Sequence, residues 1–213
     1  PAIDYVVVGL GKLTFRLLVD ALAEGRAPED IPGVLRVRPG GPTVPVRRQY
    51  TLDDLVDEQP PRYDLVQMHR DRYVMSGVGG KVGFVATAFG CTHCCSFCSI
   101  PNMTGGRYLS HSVAAIVRDI SLLPPDIGLI RFVDANTFGD PVVAKTLAEE
   151  ILRHGLTKKI VADVRADTVV GNPELMRLWH RAGLAAVVIG FEEIDDVRLK
   201  RMNKRSSLDK NLA

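Results

Sequence analysis

Leu129-Ile130-Arg131-Phe132-Val133-Asp134-Ala135-Asn136-Thr137-Phe138-Gly139-Asp140-Pro141 contains a strand, a polar turn and a helix start in that order. Leu129–Val133 is a short apolar run of residues that suit extended backbone. Asp140 is an N-cap, able to accept from the orphan amides of a first helical turn. Pro141 fills the first helical position, where its missing N–H costs nothing. Val143, Leu147 and Ile151 then fall on one helix face, and Gly155 stops the helix.

The same unit repeats in both directions. Downstream, strand Ile160–Val164 leads to a helix opened by Asn172-Pro173-Glu174, capped in the same way and ended by Gly183. Strand Ala185–Gly190 opens a last helix through Val197, Leu199 and Met202. Upstream, strand Val82–Ala88 runs into a cysteine-bearing loop. A helix over about Ser110–Leu123 follows, with Val113, Ile116, Val117, Ile120 and Leu123 at helical spacing. Strands alternating with helices of this length imply parallel βαβ units. The expected fold class is α/β, an incomplete (β/α) barrel over residues 81–213. Functional groups in such a fold gather at the carboxyl ends of the strands.

Those ends are polar. The first strand delivers the cysteine loop and Gly105-Gly106-Arg107, the second Asp134 to Asp140, the third Arg165-Ala166-Asp167, and the fourth Phe191-Glu192-Glu193. Strand ends are also polar simply because loops are solvated and helices need caps, and Asp140 is explained that way. Asp134, Asn136, Arg165 and Glu192 stay open between a structural and a functional role.

The chain has four cysteines, Cys91, Cys94, Cys95 and Cys98, all within eight positions. Cys91, Cys95 and Cys98 have the spacing C-x3-C-x2-C. Three thiolates on one tight loop can hold three irons of a four-iron, four-sulfur cluster, and a cluster ordinarily takes four. The fourth iron would then be open to a substrate or cofactor. Disulfide scaffolds spread their cysteines along the chain, so that reading fits badly. Structural zinc is the serious rival, because Cys91/Cys94 and Cys95/Cys98 are abutting C-x-x-C pairs. Adjacent Cys94 and Cys95 make a four-thiolate tetrahedron awkward, although His93 is available as a substitute ligand. The cluster reading leaves Cys94 as a free thiol.

Composition is that of an ordinary globular protein, 46% apolar and 24% charged, with a net charge of +2. That charge carries no electrostatic footprint for nucleic acid or an anionic membrane. No run approaches the roughly 18 apolar residues of a membrane span, and no signal peptide is visible. Clustered free thiols suit a reducing cytoplasm. At the N-terminus, residues 5–8 are an apolar run, Gly9-Leu10-Gly11-Lys12 a turn, and Phe15, Leu18, Ala21 and Leu22 one face of a helix ended by Gly25. Residues 26–80 read as a linker with a small hairpin over Arg36–Pro45, turning at Gly40-Gly41.

The cysteine loop, with Phe97 in the aromatic place of C-x3-C-x-aromatic-C, resembles the signature of the radical S-adenosylmethionine (SAM) superfamily. Phe132-Val133-Asp134-Ala135-Asn136, Val164-Arg165-Ala166-Asp167, and Ile189-Gly190-Phe191-Glu192 with Leu199-Lys200-Arg201-Met202-Asn203-Lys204 resemble strand-end motifs of its cobalamin-binding branch. Asp4 to Phe15 resembles the closing segment of that branch's Rossmann-like cobalamin domain. The resemblance implies a radical SAM partial barrel at 81–213, truncated at its C-terminus, preceded by the last strand and helix of a Rossmann-like domain at 1–25. The chain then reads as an internal fragment.

The resemblance further implies a 4Fe-4S cluster on Cys91, Cys95 and Cys98 that cleaves SAM reductively to a 5′-deoxyadenosyl radical. It places SAM against Phe97, Asp134, Asn136, Arg165 and Glu192. The implied activity is a cobalamin-dependent methyltransferase acting on an unactivated carbon of a small-molecule substrate. An external electron donor such as a flavodoxin or ferredoxin would supply the electron. An oxidative cyclase or other cobalamin-free radical SAM enzyme is the alternative, and a non-catalytic zinc-stabilised α/β domain the second.

Overall fold

The computed structural model describes residues 3–37, 51–75, 77 and 80–213. Its centre is a sheet of four parallel strands, β3 (Val82–Val85), β6 (Leu129–Phe132), β7 (Lys159–Val164) and β8 (Leu184–Ile189), adjacent in that order. Val82 pairs with Leu129, Leu129 with Lys159, and Val161 with Ala186. This is the expected α/β architecture of an open, partial barrel.

Alternation along the strands decides what each face holds. Val85, Ile130, Phe132, Ile160, Ala162 and Val164 turn to the helix layer and are buried there. That layer consists of α3 (Val113–Ser121), α4 (Pro141–Arg153) and α6 (Pro173–Arg181). Trp179 of α6 is fully buried, edge-on to Phe132 with centroids 5.9 Å apart and 4.9 Å from the Phe138 ring. On the opposite face Val82, Leu129 and Val161 form a small apolar layer. The same face carries the ion pair Arg131–Asp163, in which Arg131 is in register with Val161 and Asp163 lies two residues further along β7. Charged groups on alternate positions of otherwise apolar strands show that this face is not a dry core.

The sequence expectations hold best where a cap is local. Asp140 caps α4, accepting from Val142 and Val143 N–H at 3.0 and 3.2 Å. Ser112 caps α3 by accepting from Ala115 N–H at 3.2 Å, so that helix begins later than Ser110. Asn172 does not cap α6 in the same way. Its side-chain amide donates to the Thr168 carbonyl at 2.9 Å, ending a short helix α5 (Ala166–Gly171) that the reading had not resolved. The last helices are α7 (Asp196–Arg201) and α8 (Leu208–Leu212).

The strand expected over Val82–Ala88 divides. It leaves the sheet after Val85 and resumes as β4 (Ala88–Gly90), which pairs antiparallel with β5 (Tyr108–Ser110). The break falls where the Asp134 carboxylate captures the Thr87 and Ala88 amides. Those donors are then lost to a ladder, and the chain bends out of the sheet.

At the N-terminus β1 (Tyr5–Val7) leads into α1 (Gly11–Ala23) and pairs antiparallel with β2 (Val34–Arg36). Arg36 is thus a strand residue opposite Tyr5. The remainder of the hairpin expected at Arg36–Pro45, including Gly40-Gly41, lies largely outside the described residues. The buried face of α1 differs in part from the expected one. Thr14, Leu18 and Ala21 are buried, whereas Phe15 and Leu22 are exposed. Residues 51–75 do more than link. Leu55 is buried against Leu10 and Leu109, and Asp57 binds His111 and the Ser112 amide of the α3 N-cap. Among the described residues no helix is long and apolar enough to cross a membrane.

Candidate active site

The cysteine loop leaves β4 at Gly90 and ends in a short helix, α2 (Ile100–Thr104). All four cysteines are free thiols. Cys91 is buried, Cys95 and Cys98 are partly buried, and Cys94 is exposed. The Cys98 amide donates to the Cys95 carbonyl at 3.1 Å, which closes the turn between those two thiols. A cavity of about 820 Å³ opens beside the loop, lined by Gly9, Cys94, Cys95, Cys98, Met103 and Gly106 among others.

Soft thiolates select zinc, copper(I) or iron–sulfur clusters. Among the described residues no group of three or more His, Cys, Asp or Glu side chains is arranged to hold a single metal ion. Cys95 and Cys98 line the cavity together with Cys94, and Cys91 lies buried at the start of the loop. A cubic cluster needs spaced thiolates and room beside the loop, and this donor set offers both.

The rim expected to carry SAM divides into two groups. Arg165 and Glu192 come together near the loop. Arg165 makes a two-pronged pair with Asp167 at 2.9 and 3.0 Å and donates to the Lys204 carbonyl at 2.7 Å. Burial alone would raise the Asp167 pKa, but the Arg165 guanidinium outweighs it and holds the carboxyl below its usual range. Glu192 has a left-handed backbone, φ +67°, and accepts from the Lys204 ammonium at 3.1 Å. The Lys204 Nζ also stands 5.8 Å from the ring centroid of Phe97, a residue that is 53% exposed. His93 is half-buried near Arg165. Burial first, and then that guanidinium, push its pKa down, so the imidazole is neutral at neutral pH.

Asp134 and Asn136 are buried and have other partners. Asp134 is buried and accepts from the Thr87 hydroxyl at 2.6 Å and the Thr87 and Ala88 amides at 2.7 and 3.0 Å. Both of its oxygens are thus engaged by the turn between β3 and β4. Asn136 is buried too, with its Oδ1 unmatched by any donor among the described residues. Its carbonyl accepts from the Gly139 amide at 3.2 Å.

Sequence reasoning missed three contributors. Lys204 and Asn203 carry no signal of their own in the sequence, yet Asn203 donates to the Cys94 carbonyl at 2.8 Å. The Arg131–Asp163 pair faces the open side of the sheet, and a charge inside each of two apolar strands was the available signal.

A parallel-stranded α/β half-barrel whose first strand feeds a triple-cysteine loop defines the class of protein. The Radical SAM superfamily model matches residues 85–213. The chain belongs to the radical SAM superfamily.

It is 34% identical over 197 residues to an uncharacterized methyltransferase of Pyrococcus horikoshii, covering 90% of this chain and 41% of the relative. It is 29% identical over 210 residues to the hopanoid C-3 methylase of Methylococcus capsulatus, covering 98% and 39%. The chain thus spans about two fifths of the length of these curated relatives. Among solved structures, it superposes on the radical S-adenosylmethionine methyltransferase TsrM from Kitasatospora setae with a TM-score of 0.79. The identity there is 22%, and the match covers 99% of this chain and 42% of TsrM. TsrM has been solved with a tryptophan substrate and a SAM analogue, and with cobalamin and a [4Fe-4S] cluster. At that identity the likeness fixes the shared fold.

Proposed function

We propose that this chain is the SAM-cleaving part of a radical enzyme, and that the whole protein is a cobalamin-dependent methyltransferase acting on an unactivated carbon of a small molecule. The reading is carried by Cys91, Cys95 and Cys98, spaced along a loop that leaves β4 just beyond the first strand of the parallel sheet, with Cys95 and Cys98 lining a cavity of about 820 Å³. Membership of the superfamily and relatives named as methyltransferases support it.

Cys91, Cys95 and Cys98 would hold the cluster, with Cys94 a free thiol. When bound, such a cluster delivers an electron to SAM and so releases methionine and a 5′-deoxyadenosyl radical. The chain's part is to bind and orient. The exposed Phe97 ring offers a stacking face for adenine. Asp167 and the Lys204 carbonyl take the Nε and Nη2 donors of Arg165 and fix its plane, which leaves Nη1 to donate to the SAM carboxylate. Glu192 meets Lys204 through one oxygen, leaving the other to accept from a ribose hydroxyl.

Residues 1–25 are read as the closing strand and helix of a cobalamin domain. In support, α1 is apolar on two faces: Leu18 and Ala21 pack inward, while Phe15, Val19 and Leu22 form an exposed stripe that suits further chain. A flavodoxin- or ferredoxin-type donor and a reducing cytoplasm fit the free thiols.

Anaerobic reconstitution of the full-length protein tests the reading. Cys91→Ala, Cys95→Ala and Cys98→Ala abolish SAM cleavage, whereas Cys94→Ala keeps its iron. Equal loss of iron in all four variants sinks the three-ligand assignment. A full-length protein that takes up iron but no cobalt when offered cobalamin removes the methyltransferase half alone.

A further inference from the structure

The turn that follows α7 grips the cysteine loop at Cys95 from both sides. The Ser96 amide donates to the Met202 carbonyl at 2.9 Å, and the Asn203 side-chain amide donates to the Cys94 carbonyl at 2.8 Å. The Cys94 carbonyl lies in the Cys94–Cys95 peptide plane, and the Ser96 amide in the Cys95–Ser96 plane. Each plane is rigid, so pinning one atom in each fixes the rotation of both peptides that flank the Cys95 Cα. The direction of its Cα–Cβ bond follows, which limits the thiolate to the rotamers about that bond.

The turn itself is anchored on the side away from the loop. The Asn203 amide donates to Lys200 and the Lys204 amide to Leu199, at 3.0 and 3.1 Å. Arg165 holds the Lys204 carbonyl, and Glu192 holds the Lys204 ammonium. Asn203 has φ +52° and Arg205 φ +54°. Left-handed backbone is unfavourable for residues with a side chain, Asn being among the more tolerant. Such geometry persists only where the surroundings over-determine it. The left-handed backbone aims the Asn203 side chain at the loop, when a continued helix would carry it away.

We propose that Asn203 is a positioning residue for the cluster: with the Met202 carbonyl it clamps the two peptides around Cys95 and presets that thiolate for iron. This deepens the reading of the chain as a radical SAM enzyme and rests on it. Because Asn203 is solvent-facing, losing its hydrogen bond perturbs the loop far more than the fold.

The experiment uses the full-length protein, reconstituted anaerobically, with Asn203→Gly and Asn203→Asp. Both replacements accept a left-handed backbone, and neither retains the donor. Three quantities are read: the thermal transition, the EPR spectrum of the reduced cluster with and without SAM, and the rate of SAM cleavage. The expected result is a near-native thermal transition, an altered EPR spectrum in both variants, and cleavage slowed by about tenfold, the weight of one hydrogen bond. Native spectra and rates in both variants would make Asn203 a turn residue only and overturn the proposal. Loss of the thermal transition in both would make it a folding element and overturn it equally. A native protein that takes up no cluster overturns the functional reading together with this one, whereas silent variants of a cluster-bearing protein overturn this one alone.

Discussion

Asp134 is bonded to Thr87 twice, through the Thr87 amide at 2.7 Å and its hydroxyl at 2.6 Å. The bond joins the end of β6 to the point where the chain leaves β3, and the Ala88 amide adds a third donor at 3.0 Å. Burial dominates the Asp134 carboxyl and pushes its pKa up, against these bonds, which favour the charged form. The residue governs how the chain passes from the sheet to the cysteine loop.

Asp134→Ala is therefore expected to destabilise the fold. Without the carboxylate, the Thr87 and Ala88 amides and the Thr87 hydroxyl lose their acceptor. Leaving a buried donor unmatched costs about 1–3 kcal/mol, readable as a lowered midpoint in urea. An unchanged midpoint with weakened SAM binding would place Asp134 at the ligand site.

Trp179 tests the helix layer. It is the single tryptophan of the chain, fully buried, and its indole N–H has no partner among the described residues. Trp179→Phe removes an unsatisfied donor along with some volume, so its net cost is expected below that of an ordinary core truncation. Trp179→Ala empties the space against Phe132 and Phe138 and is expected to cost about 3–5 kcal/mol. Circular dichroism during denaturation measures both, since fluorescence disappears with the residue. A Phe variant as damaged as the Ala variant refutes the idea that the indole N–H is dispensable.

What could be read from the sequence was local or periodic. Asp140-Pro141 gave the α4 start because cap and proline rules act within a single turn. Leu129–Phe132 read as a strand because a parallel strand buried by its neighbours is apolar along its length. The three-residue strands β4 and β5 carry too few residues for a period, and they exist because Asp134, over forty positions downstream of Thr87, bends the chain. Ala166–Gly171 is rich in Thr and Val and has no helical signature; it is helical through its place between β7 and α6. In the site, cysteine spacing was visible because all the ligands lie on one loop. The roles of Asn203 and Lys204 depend on contacts with Cys94 and Glu192 that only the fold brings together.

The Asp57–His111 contact predicts acid sensitivity where residues 51–75 meet the barrel. Burial alone would raise the Asp57 pKa, but the Ser112 amide and His111 outweigh it and hold the carboxyl below its free value. Lowering pH from about 5 to about 3 protonates the unfolded chain first, because a depressed pKa stabilises the fold above the unfolded value and loses that contribution as pH falls through the folded one. Asp57→Asn should flatten the stability–pH curve of the apo-protein in that window. An equal fall in native and variant would show that other carboxylates carry the acid transition.

The last prediction concerns the entry to the cysteine loop. Gly90 has φ +88°, and a Cβ built on it would stand 1.9 Å from the Arg107 carbonyl oxygen and 2.9 Å from the Thr104 hydroxyl. The first of these is main chain of the residue directly before β5, so it cannot swing aside. Gly105, the left-handed cap of α2, has φ +63° and nothing within 4 Å of its missing Cβ. The two glycines separate conformational cost from steric cost. Gly105→Ala should lose only the left-handed allowance, about 1–2 kcal/mol, and load iron like the native protein. Gly90→Ala should suffer the same penalty and also part β4 from β5, displacing Cys91, which follows it directly. Iron content after anaerobic reconstitution, compared at a temperature where both variants stay folded, distinguishes them. Equal iron loading in the two would show that Cys91 keeps its place without the β4–β5 pairing.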